Sequence, residues 1–103
     1  MNHPRHELDA TIHTPARFSI MAVLCATDKT DFRFVRDTVE LSDSALSQHV
    51  TVLEQAGYVK VTKGQIGRRS RTWLSATRAG RVAFQRHLEL LNSIANATNV
   101  DSP

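Results

Sequence analysis

The stretch LSDSALSQHVTVLEQAGYVKV, residues 41–61, changes its hydrophobic period across a single glycine. Ahead of Gly57, the residues Ala45, Leu46, His49, Val50 and Leu53 recur at helical spacing and gather on one face. Behind it, Tyr58, Val59 and Val61 alternate with Lys60 and Thr62 at the spacing of a strand. Both ends of the helix are marked. Ser42 is a good N-cap, although Ala45 stands where a full capping box would carry Glu or Gln. Gly57 suits the left-handed position that closes a helix. A helix over residues 43–56 therefore hands over at once to a strand, and this constrains the fold more than any other feature.

The other face of that helix carries Ser44, Ser47, Gln48, Thr51 and Gln55, all polar and none charged. A helix face turned only to solvent would favour Lys and Glu. Short hydrogen-bonding side chains suit a helix that lies close to a phosphate backbone and touches base edges. His49 falls at the edge of the apolar face, where a half-buried structural role outweighs a base contact.

The segments on either side complete the layout. TPARFSIMAVLCATD reads as a helix, with Thr14 as N-cap and Pro15 at the first helical position. Its apolar face is expected to come from Phe18, Met21, Val23, Leu24 and Cys25. HELDATIH, before it, is expected to form a short helix. In DFRFVRDTVEL, Phe32, Val35 and Val39 make a second short stripe from which Phe34 departs. After residue 58 the alternation predicts a two-stranded hairpin over 59–76. Gly64 and Gly67 are expected to bracket its tip, with Gln65 and Ile66 exposed, and Arg69, Arg71 and Trp73 share one face. Thr77 then caps a last helix over 77–96, on which Phe84, Leu88, Leu91 and Ala95 recur, with Ile94 and Val82 alongside. Gly80 in its first turn has no explanation from sequence.

Charge is segregated. Between Gln55 and Leu88 lie eight of the 13 Lys and Arg and none of the ten acidic residues, so the rest of this +3 chain is net acidic. One concentrated basic region on an otherwise acidic domain is the footprint of a nucleic-acid binder. The competing reading is a solvated charged surface. No run of about 18 apolar residues is present and no secretory pattern opens the sequence, so a cytoplasmic protein without a membrane span is expected. A single cysteine, Cys25, rules out an internal disulfide and a CxxC metal site and fits a buried structural thiol. Neither paired carboxylates at catalytic spacing, a phosphate-cradling loop nor a Ser-His-Asp arrangement can be argued, so no enzyme is expected.

The expected class is mainly α with a small β-hairpin, in the order α-α-α-β-β-α with a long C-terminal helix: a helix-turn-helix followed by a wing. All 103 residues are expected to form one domain, with a core over about 12–96 and frayed tails at 1–6 and 97–103. The patterns L-S-x-S-x-L-S-x-H, L-E-x-A-G-Y-V and G-R-x-x-R-T, within LSDSALSQHVTVLEQAGYVKV and GRRSRTWLSATRAGR, resemble the winged-helix DNA-binding domain of MarR/ArsR-type regulators, and the resemblance spans roughly residues 12–96. It is nearest to small stand-alone versions of that domain. Arg78 departs from the pattern, since the family usually has Pro there.

The resemblance implies a dimeric transcriptional regulator that binds double-stranded DNA. The expected reading residues are Ser42, Ser44, Ser47, Gln48 and Thr51. The expected gripping residues are Lys63, Arg68, Arg69 and Arg71 on the wing. The stripe of Phe84, Leu88, Leu91, Ile94 and Ala95 is assigned to dimerisation, beyond the needs of one domain's core. The favoured function is a homodimeric repressor reading a pseudo-palindrome; the alternative is a winged-helix module that docks an acidic protein partner. Neither metal nor cofactor is expected: His87 and Glu89 on the last helix face different directions, which leaves only His3, His6 and His13 meeting His87 across a dimer. The small-molecule effector, if any, is not written in these residues.

Overall fold

A computed structural model of the chain describes residues 3–97. After a 3₁₀ turn, Pro4–Glu7, the order is α1 (Pro15–Cys25), β1 (Thr30–Asp31), α2 (Phe32–Thr38), α3 (Asp43–Gln55), β2 (Val59–Ile66), β3 (Arg69–Ala76) and α4 (Arg78–Ala97). This is the winged-helix order expected from the sequence, with one addition. The sheet has three strands, β1-β3-β2, because Thr30 and Asp31 pair with Leu74 and Trp73 on the free edge of the hairpin. A two-residue strand leaves no periodic trace, so only a hairpin was legible. The short helix expected over HELDATIH is also replaced. The 3₁₀ turn comes earlier, and a second turn is closed by the His13 amide donating to the Asp9 carbonyl at 2.8 Å. The tail expected from residue 97 lies, beyond Ala97, outside the described residues, as do residues 1 and 2.

Local chemistry sets the boundaries. Thr14 Oγ1 accepts from the Arg17 amide at 3.0 Å with Pro15 behind it, and Ser42 Oγ accepts from the Ala45 amide at 3.1 Å. At the other end of α3 the Tyr58 amide reaches the Leu53 carbonyl and the Gly57 amide reaches that of Glu54, with Gly57 at φ 82°. That is a Schellman ending, and it turns the chain into β2. α2 ends the same way, the Leu41 amide meeting the Arg36 carbonyl at 3.1 Å, but Glu40 occupies the left-handed position at φ 57°. The turn of the helix-turn-helix is thus made by a residue that adopts this conformation at a cost.

The core lies where α1, α3, the base of the sheet and the first half of α4 meet. Ile20, Met21 and Leu24 of α1, Leu46 and Leu53 of α3, and Leu74 of β3 are fully buried, joined by Ile12 from the N-terminal turn. Cys25 sits at the edge of this cluster, where burial pushes its thiol up against the opposing pull of Arg81. Ile20, which the sequence reading left off the face of α1, is in the centre. Phe34, off the α2 stripe, is 55% exposed. The molecule is elongated, 64 × 23 × 21 Å with a radius of gyration of 16.1 Å, where about 13 Å is usual for this length. A 20-residue helix about 30 Å long accounts for much of this extension.

Candidate nucleic-acid interface

Folding brings the polar face of α3 and the inner face of the wing together across a cleft. Ser44, Ser47, Gln48, Thr51 and Gln55 are all exposed along α3. Ser47 and Thr51, with Asp43 and Glu54, line one wall of a cleft of about 720 Å³; Lys63, Thr72, Val61 and Leu74 line the other. Val50 and Phe32 form its floor side. Three of the five expected reading residues already have local partners, Ser44 through its hydroxyl 3.3 Å from that of Ser42. Ser42 uses its hydroxyl to cap α3, and the Thr51 hydroxyl donates to the Ser47 carbonyl at 2.9 Å. The acidic Asp43 is paired with Arg36 at 2.9 Å.

The wing is built by register. Residues 59–66 pair with 76–69 without a break, so Lys60, Thr62, Gly64 and Ile66 share a face with Arg69, Arg71, Trp73 and Ser75. Its tip is Gly67-Arg68, with Gly67 at φ 63° in a two-residue turn. Gly64 is therefore not a tip residue, as the sequence reading had it. It sits inside β2 under the indole of Trp73, and a Cβ there would fall 2.9 Å from Trp73 Cζ3. Lys29 Nζ lies 5.1 Å from the same ring, so the base of the wing is braced by a cation–π contact. Ile66 is 56% exposed beside the tip.

The eight basic residues of the central segment separate into two groups. Arg81 donates to the carbonyls of Cys25 and Thr27 at 3.0 and 2.8 Å, closing the end of α1. Arg86 pairs with Glu7 at 2.7 Å on the back of α4, and Arg71 pairs with Asp31. Among the described residues no ion pair engages Lys60, Lys63, Arg68, Arg69 or Arg78, and all five are exposed. Lys63 stands on the cleft side of the wing and Arg69 on the other, with Arg68 at the turn.

This architecture matches known DNA-binding domains. The model of the winged helix DNA-binding domain matches residues 16–95. The chain belongs to the winged helix DNA-binding domain family. An uncharacterized protein of Methanocaldococcus jannaschii is 32% identical over 72 residues, covering 70% of this chain and 78% of that one. The structure of a transcriptional regulator homologue from Pyrococcus horikoshii OT3 superposes with a TM-score of 0.87 at 27% identity, over 96% of this chain and 100% of that one. A MarR-family transcriptional regulator from Silicibacter pomeroyi shares the fold at a TM-score of 0.67 and 22% identity, over 98% of this chain and 67% of that one. The resemblance to the winged-helix domain of MarR-type regulators, carried by residues 41–61 and 67–81, is borne out by the family match and by the shared fold.

Away from the α3–wing surface of this winged-helix domain, the expected dimerisation stripe divides. Phe84 is only 9% exposed and its ring lies 5.2 Å from that of Phe18, so it belongs to the chain's own core. Leu88 packs against that core as well. Leu91 and Ile94 remain half-exposed further along, and Val82 points away at 63% exposure. His87, on the same side as Phe84, is 1% exposed, with Nε2 3.1 Å from His13 Nδ1. Burial lowers its pKa and His13 lowers it further, while Asp9 pulls the other way. Among the described residues no third His, Cys, Asp or Glu joins the two imidazoles in a metal-holding group. His49 is half-buried, its Nδ1 3.2 Å from Arg17 Nη1, which ties α3 to α1. Among the described residues no helix is long and apolar enough to cross a membrane.

Proposed function

We propose that this chain is a sequence-specific transcriptional repressor that binds as a homodimer. In this reading α3 enters the major groove and β2–β3 lies along the backbone or minor groove. The supporting observation is an uncharged hydrogen-bonding face on α3, whose Ser47 and Thr51 look across a cleft to Lys63 of the wing, together with the exposed wing cations Arg68 and Arg69, which, like Lys63, no ion pair engages among the described residues. The wing grips and positions; Ser44, Ser47 and Gln48 read, with Ser42 and Thr51 contributing through the geometry they give the helix. Repression follows by occlusion of the bound site, in the cytoplasm.

Dimerisation is supported by the distal half of α4. Leu91 and Ile94 continue the apolar side past the core that holds Phe84 and His87, and both stay half-exposed. Two copies joined there would present two α3 helices about 34 Å apart, one DNA turn, on a pseudo-palindrome.

Binding of the full chain to duplex DNA across a salt series tests the reading. If the dimer makes about 6–10 phosphate contacts, log K falls with log salt at a slope of about −5 to −9. A slope near −1, or equal binding to duplex and to an acidic polypeptide, overturns it in favour of a module that docks an acidic partner.

A further inference from the structure

Asp31 is one residue long in its influence on sequence pattern, yet it joins three elements. Its Oδ1 accepts from the Arg33 amide at 2.7 Å, which caps α2. Its Oδ2 receives the Arg71 guanidinium from β3, forty residues away along the chain. Its backbone belongs to β1 and pairs with Trp73 of the same strand. The two side chains are 22% and 33% exposed, so the contact is only partly open to water and is screened less than a surface pair.

We propose that Asp31 is a specificity-setting residue of this DNA-binding domain: it withholds Arg71 from the phosphate backbone and fixes the wing to the helix-turn-helix. The inference rests on the DNA-binding reading above. Non-specific binding is governed by the number of phosphates that Lys and Arg neutralise. A cation already matched by a carboxylate adds little to that number. Arg71 therefore contributes rigidity where Arg68 and Arg69 contribute grip. Because the same carboxylate caps α2, the wing and the α2–α3 pair meet DNA in one fixed relation, and the polar face of α3 is placed in register with the groove. Two chemical facts support this. Burial works to raise the Asp31 carboxyl, but the Arg33 amide and the Arg71 guanidinium together hold it below the ordinary range, so it stays ionised at neutral pH. Lys29 does not compete for it, since its ammonium lies over the Trp73 ring.

The test compares Asp31→Asn, Arg71→Gln and the double variant with the unaltered protein. Fluorescence anisotropy on a random-sequence duplex and on a selected site, across a salt series, reads the effect. Asn keeps the cap on α2 while removing the charge. With Arg71 released, Asp31→Asn is expected to steepen the salt slope on the random duplex by about 0.9 per chain and to narrow the ratio between selected and random sites. Arg71→Gln alone should leave the slope unchanged, and the double variant should return it to the unaltered value. If Arg71→Gln makes the slope shallower by about 0.9 per chain, Arg71 is already a phosphate contact and the inference fails. An unchanged slope in Asp31→Asn overturns it equally. Failure of the underlying reading looks different: the unaltered protein itself would then show a slope near −1 on every duplex.

Discussion

Gly80, in the first turn of α4, lies directly on the carbonyl of Tyr58: a Cβ at position 80 would fall 2.2 Å from that oxygen and 2.9 Å from its carbon. The same carbonyl accepts from the Thr77 amide at 3.0 Å, and Thr77 Oγ1 both donates to the Gly57 carbonyl at 2.6 Å and accepts from the Gly80 amide at 2.9 Å. The end of the reading helix, the start of the wing and the start of the last helix are thus locked at one point.

Replacing Gly80 by Ala adds helix propensity worth about 1 kcal/mol, but the clash is with backbone, which cannot rotate away. Overpacking of this kind costs about 1–3 kcal/mol, and here the upper end applies. The net result expected is a loss of about 1–2 kcal/mol, a Tm lower by roughly 4–16 °C in a thermal melt. An unchanged or raised Tm would mean that α4 does not pack on Tyr58 this closely.

The buried His87 makes stability depend on pH. His87 titrates below its ordinary value of about 6.5 because burial and His13 disfavour its charged form. The unfolded chain therefore binds more protons than the folded one below about pH 6.5, and stability falls as the pH drops from there through the lowered folded value. Urea midpoints should be lower at pH 5.5 than at pH 7.5, and the difference should shrink in a His87→Phe variant. An equal difference in both proteins would assign the effect elsewhere.

Reading and gripping should separate by mutation. Gln48→Ala is expected to narrow discrimination between the selected site and its single-base variants by about 1–3 kcal/mol, with little effect on random duplexes. Arg69→Ala is expected to weaken every duplex alike and to make the salt slope shallower by about 0.9 per chain. Competition binding measures both. If Arg69→Ala changed base preference instead, the division of labour between α3 and the wing would be wrong.

Phe84 and Leu91 should behave differently although both lie on the apolar side of α4. Phe84→Ala removes a ring from the core and is expected to cost about 3–5 kcal/mol of stability. Leu91→Glu together with Ile94→Glu should leave the fold intact and release monomers, seen as a halved mass by light scattering. A single mass in both the unaltered and the charged variants would remove α4 as the dimer contact.

Much of this was legible in the sequence because the signals are local. Ser42, Thr14 and Pro15, and Gly57 mark element ends through contacts within a few residues, and periodicity located α3, the hairpin and α4. The features that sequence did not show are long-range. Asp31 caps α2 and meets Arg71 only because the edge of β3, which folding supplies, brings the two together. Gly64 looked like a tip residue because glycine favours turns; its reason is the Trp73 ring across the sheet. Gly80 and Tyr58, and His13 and His87, meet only when α4 packs back on the domain. The stripe on α4 was overassigned for the same reason, since a helical period cannot tell a chain's own core from a partner's.

Selection of bound fragments from genomic DNA, followed by hydroxyl-radical footprinting of the enriched site, tests the central claim most directly. The account predicts one enriched pseudo-palindromic sequence with two protected patches about one helical turn, 34 Å, apart, flanked by weaker protection where the wings lie. Recovery of fragments with no common sequence, or a single unpaired patch, would contradict it.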